Sequence, residues 1–233
     1  MKDKQNQQKR ALVLIGSLFS LVIVLLGSYY VYQTLIQKTN VDGTNIQQDE
    51  FYSIRNNATA YQIELYENLN EALHAEPKDN LEIATWVAQN YVADFYTWTN
   101  KFRLNDVGGI QFVIEDIKTN VYQSAQASLY GDVYYYLNNG GLTGTLEVES
   151  IRVIKAEYID FFIFDSEGND EIYDEVSGRY RVGDYHDAMQ VEVAWNYVTS
   201  DTLNVDDYDS HAYITLMLND VGAPMIVEVT HEN

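Results

Sequence analysis

Four histidines, His74, His186, His211 and His231, and the 34 aspartates and glutamates beyond residue 40 are the side chains with acid–base or metal-binding chemistry in this chain. No cysteine accompanies them, which excludes disulfides, thiolate nucleophiles and Cys-ligated metals. No two histidines share the i, i+4 spacing of a helical zinc pair. Nothing matches a G-x-S-x-G nucleophile turn or a phosphate-cradling glycine loop, and Gly108–Gly109 and Gly140–Gly141 read as breaks between elements. Acids crowd two turns. Asp165, Glu167, Asn169, Asp170 and Glu171 form one group, and Asp206, Asp207, Asp209 and His211 form the other. Neither follows the alternating acids, glycine and terminal glutamate of a calcium loop. No catalytic residue, metal or cofactor is expected.

Aromatic side chains carry the binding potential that remains. The chain has 20 Tyr against 8 Phe and 3 Trp, and tyrosine suits half-buried strands and contact surfaces. Trp86, Tyr91, Phe95 and Trp98 are expected at the mouth or interior between helices and sheet. Tyr134, Tyr135 and Tyr136 are expected to form an exposed partner-contact patch.

The elements that position these residues follow from periodicity. Ile54, Ala58, Tyr61, Leu65, Leu69 and Leu73 recur at helical spacing and predict a helix over 51–76, ended by Pro77. Its stripe suits packing on the domain or a dimeric coiled coil. Asp79-x-x-Glu82 has the spacing of a capping box, and Ala84, Val87, Ala88, Tyr91, Val92 and Phe95 follow on one face. A third helical segment runs from Phe112 to about Leu137, although 133–136 also suit a strand. After residue 142 the pattern alternates, as in Met189, Val191, Val193 and Trp195, and short turns separate the strands. Helices first and strands after predict an α+β fold, with helices on one face of a curved antiparallel sheet.

Residues 11–32 are uncharged and follow Lys9 and Arg10, while Tyr29, Tyr30 and Tyr32 lie at their far end. This predicts a transmembrane helix over 11–36, which is membrane contact by the chain itself, with a cytoplasmic stub at 1–10. A linker at 37–50 and an extracytoplasmic domain at 77–233 complete the expected order. The run ends in bulky tyrosines, not the small residues of a cleaved signal. Beyond residue 40, the 34 acids face 9 Lys and Arg, a balance of −25. That charge repels phosphate backbones and excludes nucleic acid as a natural partner. The absence of disulfides outside the cell points to a bacterial surface.

The run WVAQNYVADFYTW (86–98) resembles the helix with a Tyr-Val pair in the inner-membrane bridge proteins of type IV secretion and conjugation machines, including the TcpC-like conjugal transfer proteins. The similarity continues through IKTNVYQSAQASL (117–129), VESIRVI (148–154) and the closing VAWNYVTSD, AYITLML and MIVEV strands. The resemblance implies a nuclear-transport-factor-2-like cone fold. It also implies a non-enzymatic scaffold that self-associates and contacts other membrane-complex proteins. The alternative expectation is an extracellular ligand-binding or sensory module that uses a pocket between helices and sheet.

Overall fold

The computed structural model describes residues 45–48, 51–103, 105–138, 145–165, 172–174, 179–201 and 203–231. The stub, the span expected over 11–36 and the acidic turn at 166–171 lie outside the described residues. Among the described residues no helix is long and apolar enough to cross a membrane.

Strands β1 (Asn45–Gln48) and β2 (Ser53–Arg55) form a small antiparallel hairpin. The helix expected over 51–76 is therefore corrected: α1 spans Ala60–His74. Two local interactions account for the shift. The Gln111 side-chain amide acts as a strand partner for Ser53, accepting from its N–H at 2.9 Å and donating to its carbonyl at 2.7 Å. Thr59 and Gln62 then close a reciprocal capping box that starts the helix. The apolar stripe of α1 buries Leu65, Leu69 and Leu73 within the domain, so it serves as a packing face.

Helix α2 (Asn80–Phe95) begins at Asp79, whose carboxylate accepts from the Leu81 and Glu82 N–H groups. It is buried on nearly every side, including the whole stripe from Ala84 to Phe95. Asn90 and Gln89 remain compatible with that burial because their amides donate to carbonyls, Asn90 to Leu65 and Trp86, Gln89 to Thr85.

A 3₁₀ turn (Ile110–Phe112) leads to α3 (Glu115–Ala127) and α4 (Leu129–Asn138). The single helical segment expected over 112–137 is thus two helices. The break is at Ser128 (φ −117°, ψ −105°), whose hydroxyl donates to the Ser124 carbonyl. The ambiguous stretch after it is helical.

The main sheet runs β3 (Val148–Asp165), β5 (Arg179–Tyr197), β6 (His211–Leu218) and β7 (Pro224–Thr230) in that spatial order. All pairs are antiparallel, and the short β4 (Ile172–Asp174) pairs with β5. Met189, Val191, Val193 and Trp195 turn inward as the alternation predicts, alongside Ala212, Ile214, Leu216 and Ile226. Helices α1 and α2 supply the facing side of this core. The fold is α+β. The β7 edge is covered by the chain entering α3, where Ile114 N–H donates to the Ile226 carbonyl at 2.9 Å. At the start of β3, Tyr61 OH accepts from Ile151 N–H at 2.8 Å.

Candidate functional site

The C-terminal half of α2 presents two different surfaces to the interior. One is polar and sealed. Asp94 accepts from Lys101 Nζ at 2.6 Å and from Gly109 N–H at 2.7 Å, and Arg55 Nε lies 3.3 Å away. Arg55 also pairs with Asp106. The network continues from Lys101 to Asn100 Oδ1, and from Asn100 Nδ2 to Gln62, the capping residue of α1. Burial alone pushes the Asp94 carboxyl up, but Lys101, Arg55 and the Gly109 N–H outweigh it and hold it down at about 2. A carboxylate held this way stays ionised at neutral pH and does not exchange protons. The glycines at 108–109 exist for this contact. A Cβ at Gly108 would lie 2.0 Å from the Asp94 carbonyl, and Gly109 has φ +73° with the Tyr91 ring against it. Beside the network is a cavity of about 20 Å³, bordered by Arg55, Gln62, Asn90 and Asp94, which is room for about one water. This cluster locks the fold.

The other surface is open. Tyr91 and Phe95 stack with ring centroids 5.1 Å apart. Together with Tyr96 they form the floor of a cleft of about 370 Å³ between α2, α3 and β7. Ile117, Val121 and Ala125, one stripe of α3, form one wall, and Ile226 and Val229 of β7 form the other. Asn120, Ser124 and Ser128 add hydroxyl and amide groups along the helix side. At the sheet end Asp209, Glu228 and His231 make an acidic rim. His231 Nδ1 lies 3.0 Å from the His211 carbonyl and so carries the hydrogen there, leaving Nε2 to face Tyr96 OH at 3.4 Å. Asp209 approaches His231 to 3.9 Å. Burial pushes the Tyr91 and Tyr96 hydroxyls above the usual phenol range, so both stay neutral donors. The volume lies at the lower end of small-ligand pockets, and an apolar floor with few polar groups is their usual lining. A second concavity of about 550 Å³ under the β6–β7 turn is lined by Glu115, Asp116, Asn219 and Asp220 and is more polar.

The structure divides the aromatic residues singled out above. Tyr91 and Phe95 line the cleft. Trp98 does not: it is fully buried, with its ring edge-on to Tyr208 and its backbone N–H donating to the Leu146 carbonyl at 2.7 Å. Trp86, one face of the helix away, is half-buried against the core and also lies off the cleft. Tyr134, Tyr135 and Tyr136 all fall in α4, where Tyr135 is 62% exposed. The side chains of Tyr134 and Tyr136 lie outside the described residues. Sequence reasoning missed Tyr96, Asp209 and His231 as cleft groups. The 20-residue gap from His211 to His231 is the span of an antiparallel β6–β7 pair, which was the available signal. Among the described residues no cluster of three or more His, Asp or Glu is arranged to hold a metal ion. Compared with known proteins, the sequence matches no family model and no curated protein, and the structure matches no solved structure.

Proposed function

We propose that this chain is a non-enzymatic, membrane-anchored assembly component whose external domain receives an apolar group of a partner protein in the cleft between α2, α3 and β7. The observation that carries the reading is that cleft: an aromatic floor, aliphatic walls and an acidic rim at Asp209 and Glu228. Apolar lining drives burial, and the rim selects an apolar side chain flanked by a cationic or hydrogen-bond-donating group. The charge of the chain beyond residue 40 favours the same basic partner surface. The anchor is the uncharged run behind Lys9 and Arg10, with the N-terminus cytoplasmic. Helices followed by an antiparallel sheet are in keeping with a nuclear-transport-factor-2-like cone, and the resemblance to bridge proteins of conjugation and type IV secretion supports a role in such an apparatus.

The test is site-specific photo-cross-linking of the full chain in its native membrane. A photoreactive residue at Val121, in the cleft wall, should give a discrete protein adduct. One at Glu67, on the exposed face of α1, should not. Filling the cleft by Ser124→Phe, at an exposed position of its helix wall, should abolish the Val121 adduct while leaving the thermal unfolding transition in place. Equal adducts from both positions, or an adduct that survives Ser124→Phe, would count against the proposal. A small-molecule ligand is the second reading, favoured by the Asn120, Ser124 and Ser128 hydroxyl and amide groups that face the cavity. It predicts no protein adduct and a rise in melting temperature with an aromatic amine.

A further inference from the structure

Strand β3 is the terminal strand of the sheet path, 18 residues long and so about 60 Å from end to end. Its first turn of free edge is covered, because Thr97 Oγ1 accepts from Val148 N–H and Tyr61 OH accepts from Ile151 N–H. Beyond Ile151, among the described residues, only β5 pairs with this strand. Ile154 and Tyr158 are 40% and 53% exposed along it. Unpaired strand edges with apolar side chains bind further strands, and proteins usually protect them with charge.

The charges on this edge have an unusual order. Within the stretch 152–160, between Glu149 and Asp165 at the strand's ends, Arg152, Lys155, Glu157 and Asp160 balance to zero, in a chain with a balance of −25 beyond residue 40. They are also symmetric in sign reversal about Ala156. Within one chain Lys155 Nζ lies 2.5 Å from Glu157 Oε1 and His186 Nδ1 lies 2.9 Å from Asp160 Oδ1. An antiparallel register with its two-fold axis at Ala156 exchanges these exposed contacts for pairs between copies, Lys155 opposite Glu157 and Arg152 opposite Asp160. The same register sets Ile154 opposite Tyr158 and Val153 opposite Ile159. The ladder between β3 and β5 is regular from Lys155 to Ile159, with bulges on either side, so the centre of that register falls in straight backbone.

We propose that two copies of this chain pair through the free edges of β3, antiparallel about Ala156, as an isologous dimer joining the two sheets. The self-complementary charges choose a second copy over an unrelated strand, because each copy supplies both members of every ion pair. Elsewhere the acidic surfaces of two copies repel, so this neutral segment is where they approach with least resistance. Edge pairing of so short a segment is weak in dilute solution, and confinement of both copies to one membrane raises their effective concentration. The inference does not depend on the cleft: either surface can fail its test while the other stands.

The absence of native cysteine makes the test direct. Opposed residues in an antiparallel pair have Cα atoms about 4.5–5.5 Å apart, inside the span a disulfide bridges. In full-length protein in membranes, mild oxidation of Ala156→Cys should give a dimer on the order of tenfold more abundant than that from Arg152→Cys, whose two copies lie roughly 27 Å apart in this register. The double variant Arg152→Cys/Asp160→Cys should recover the cross-link, and it keeps Ala156 in case that position tolerates no change. Equal dimer from Ala156→Cys and Arg152→Cys would mark random collision and overturn the proposal. So would monomer from both Ala156→Cys and the double variant, or an adduct whose mass is not twice that of the chain.

Discussion

Asp94 is the residue on which the interior polar network converges, and its partners come from three separate stretches of chain: Arg55, Lys101 and Gly109. Removing one member of a buried pair strands the other charge, which costs roughly 3–5 kcal/mol. Asp94→Asn should therefore lower the urea midpoint strongly, since Lys101 is fully buried. The pH dependence follows from the depressed carboxyl. Its unfolded value is near 3.8 and its folded value about 2. Its contribution is fully present above the unfolded value and is lost as pH falls through the folded one. Urea titrations of the unmodified chain from pH 5 to 2 should lose stability across that window, while Asp94→Asn should show a shallower slope there. An unchanged slope would show that the carboxylate is not what the acid attacks. None of this was legible in the sequence. Asp94 is one of 34 acids beyond residue 40, and only its spatial neighbours distinguish it.

At the scale of elements, the two ends of the helical layer test different physics. Thr59 caps α1 by a reciprocal side-chain and backbone exchange with Gln62. Its replacement by Ala should cost about 1 kcal/mol, read as a small fall in melting temperature. Gly109 is different in kind. Its φ of +73° and the Tyr91 ring 2.8 Å from a built Cβ put both strain and overlap on any side chain, so Gly109→Ala should cost on the order of 1–3 kcal/mol. The ordering is the sharper expectation, and a Thr59→Ala melt below that of Gly109→Ala would refute it. The sequence signalled α2 well, because its apolar stripe and Asp79 cap agree. It signalled α1 with a wrong start, because Ile54 and Ala58 lie in register with the true stripe by coincidence. The decisive partner of Ser53, Gln111, is 58 residues away. Likewise the break at Ser128 has no glycine or proline to announce it.

At the scale of the whole molecule, the α+β domain carries two surfaces on which the proposals rest. One is the cleft between α2, α3 and β7, and the other is the edge of β3 that, among the described residues, no further strand pairs. Both uses presuppose that residues 11–36 hold the chain in a bilayer. Two measurements follow. Full-length protein should stay in the membrane fraction through an alkaline carbonate wash, and protease added outside intact cells should digest the acidic domain. Release by the wash, or protection from protease, would remove the geometry on which partner docking rests.

Periodicity and charge in the sequence were enough to determine the α+β class, the order of helices before strands and the inward face of β5 from Met189 to Trp195. Those follow from local rules, because a stripe at helical spacing and an alternation of two each specify a face without reference to the rest of the chain. The tertiary structure alone decided that Tyr91 and Phe95 line a cleft while Trp98, three residues beyond Phe95, is sealed in the core. It also brought Tyr96, Asp209 and His231 together across 135 residues of chain. Such groupings depend on which strands become neighbours. That choice is made by the burial of the whole core and leaves no periodic trace in any one segment.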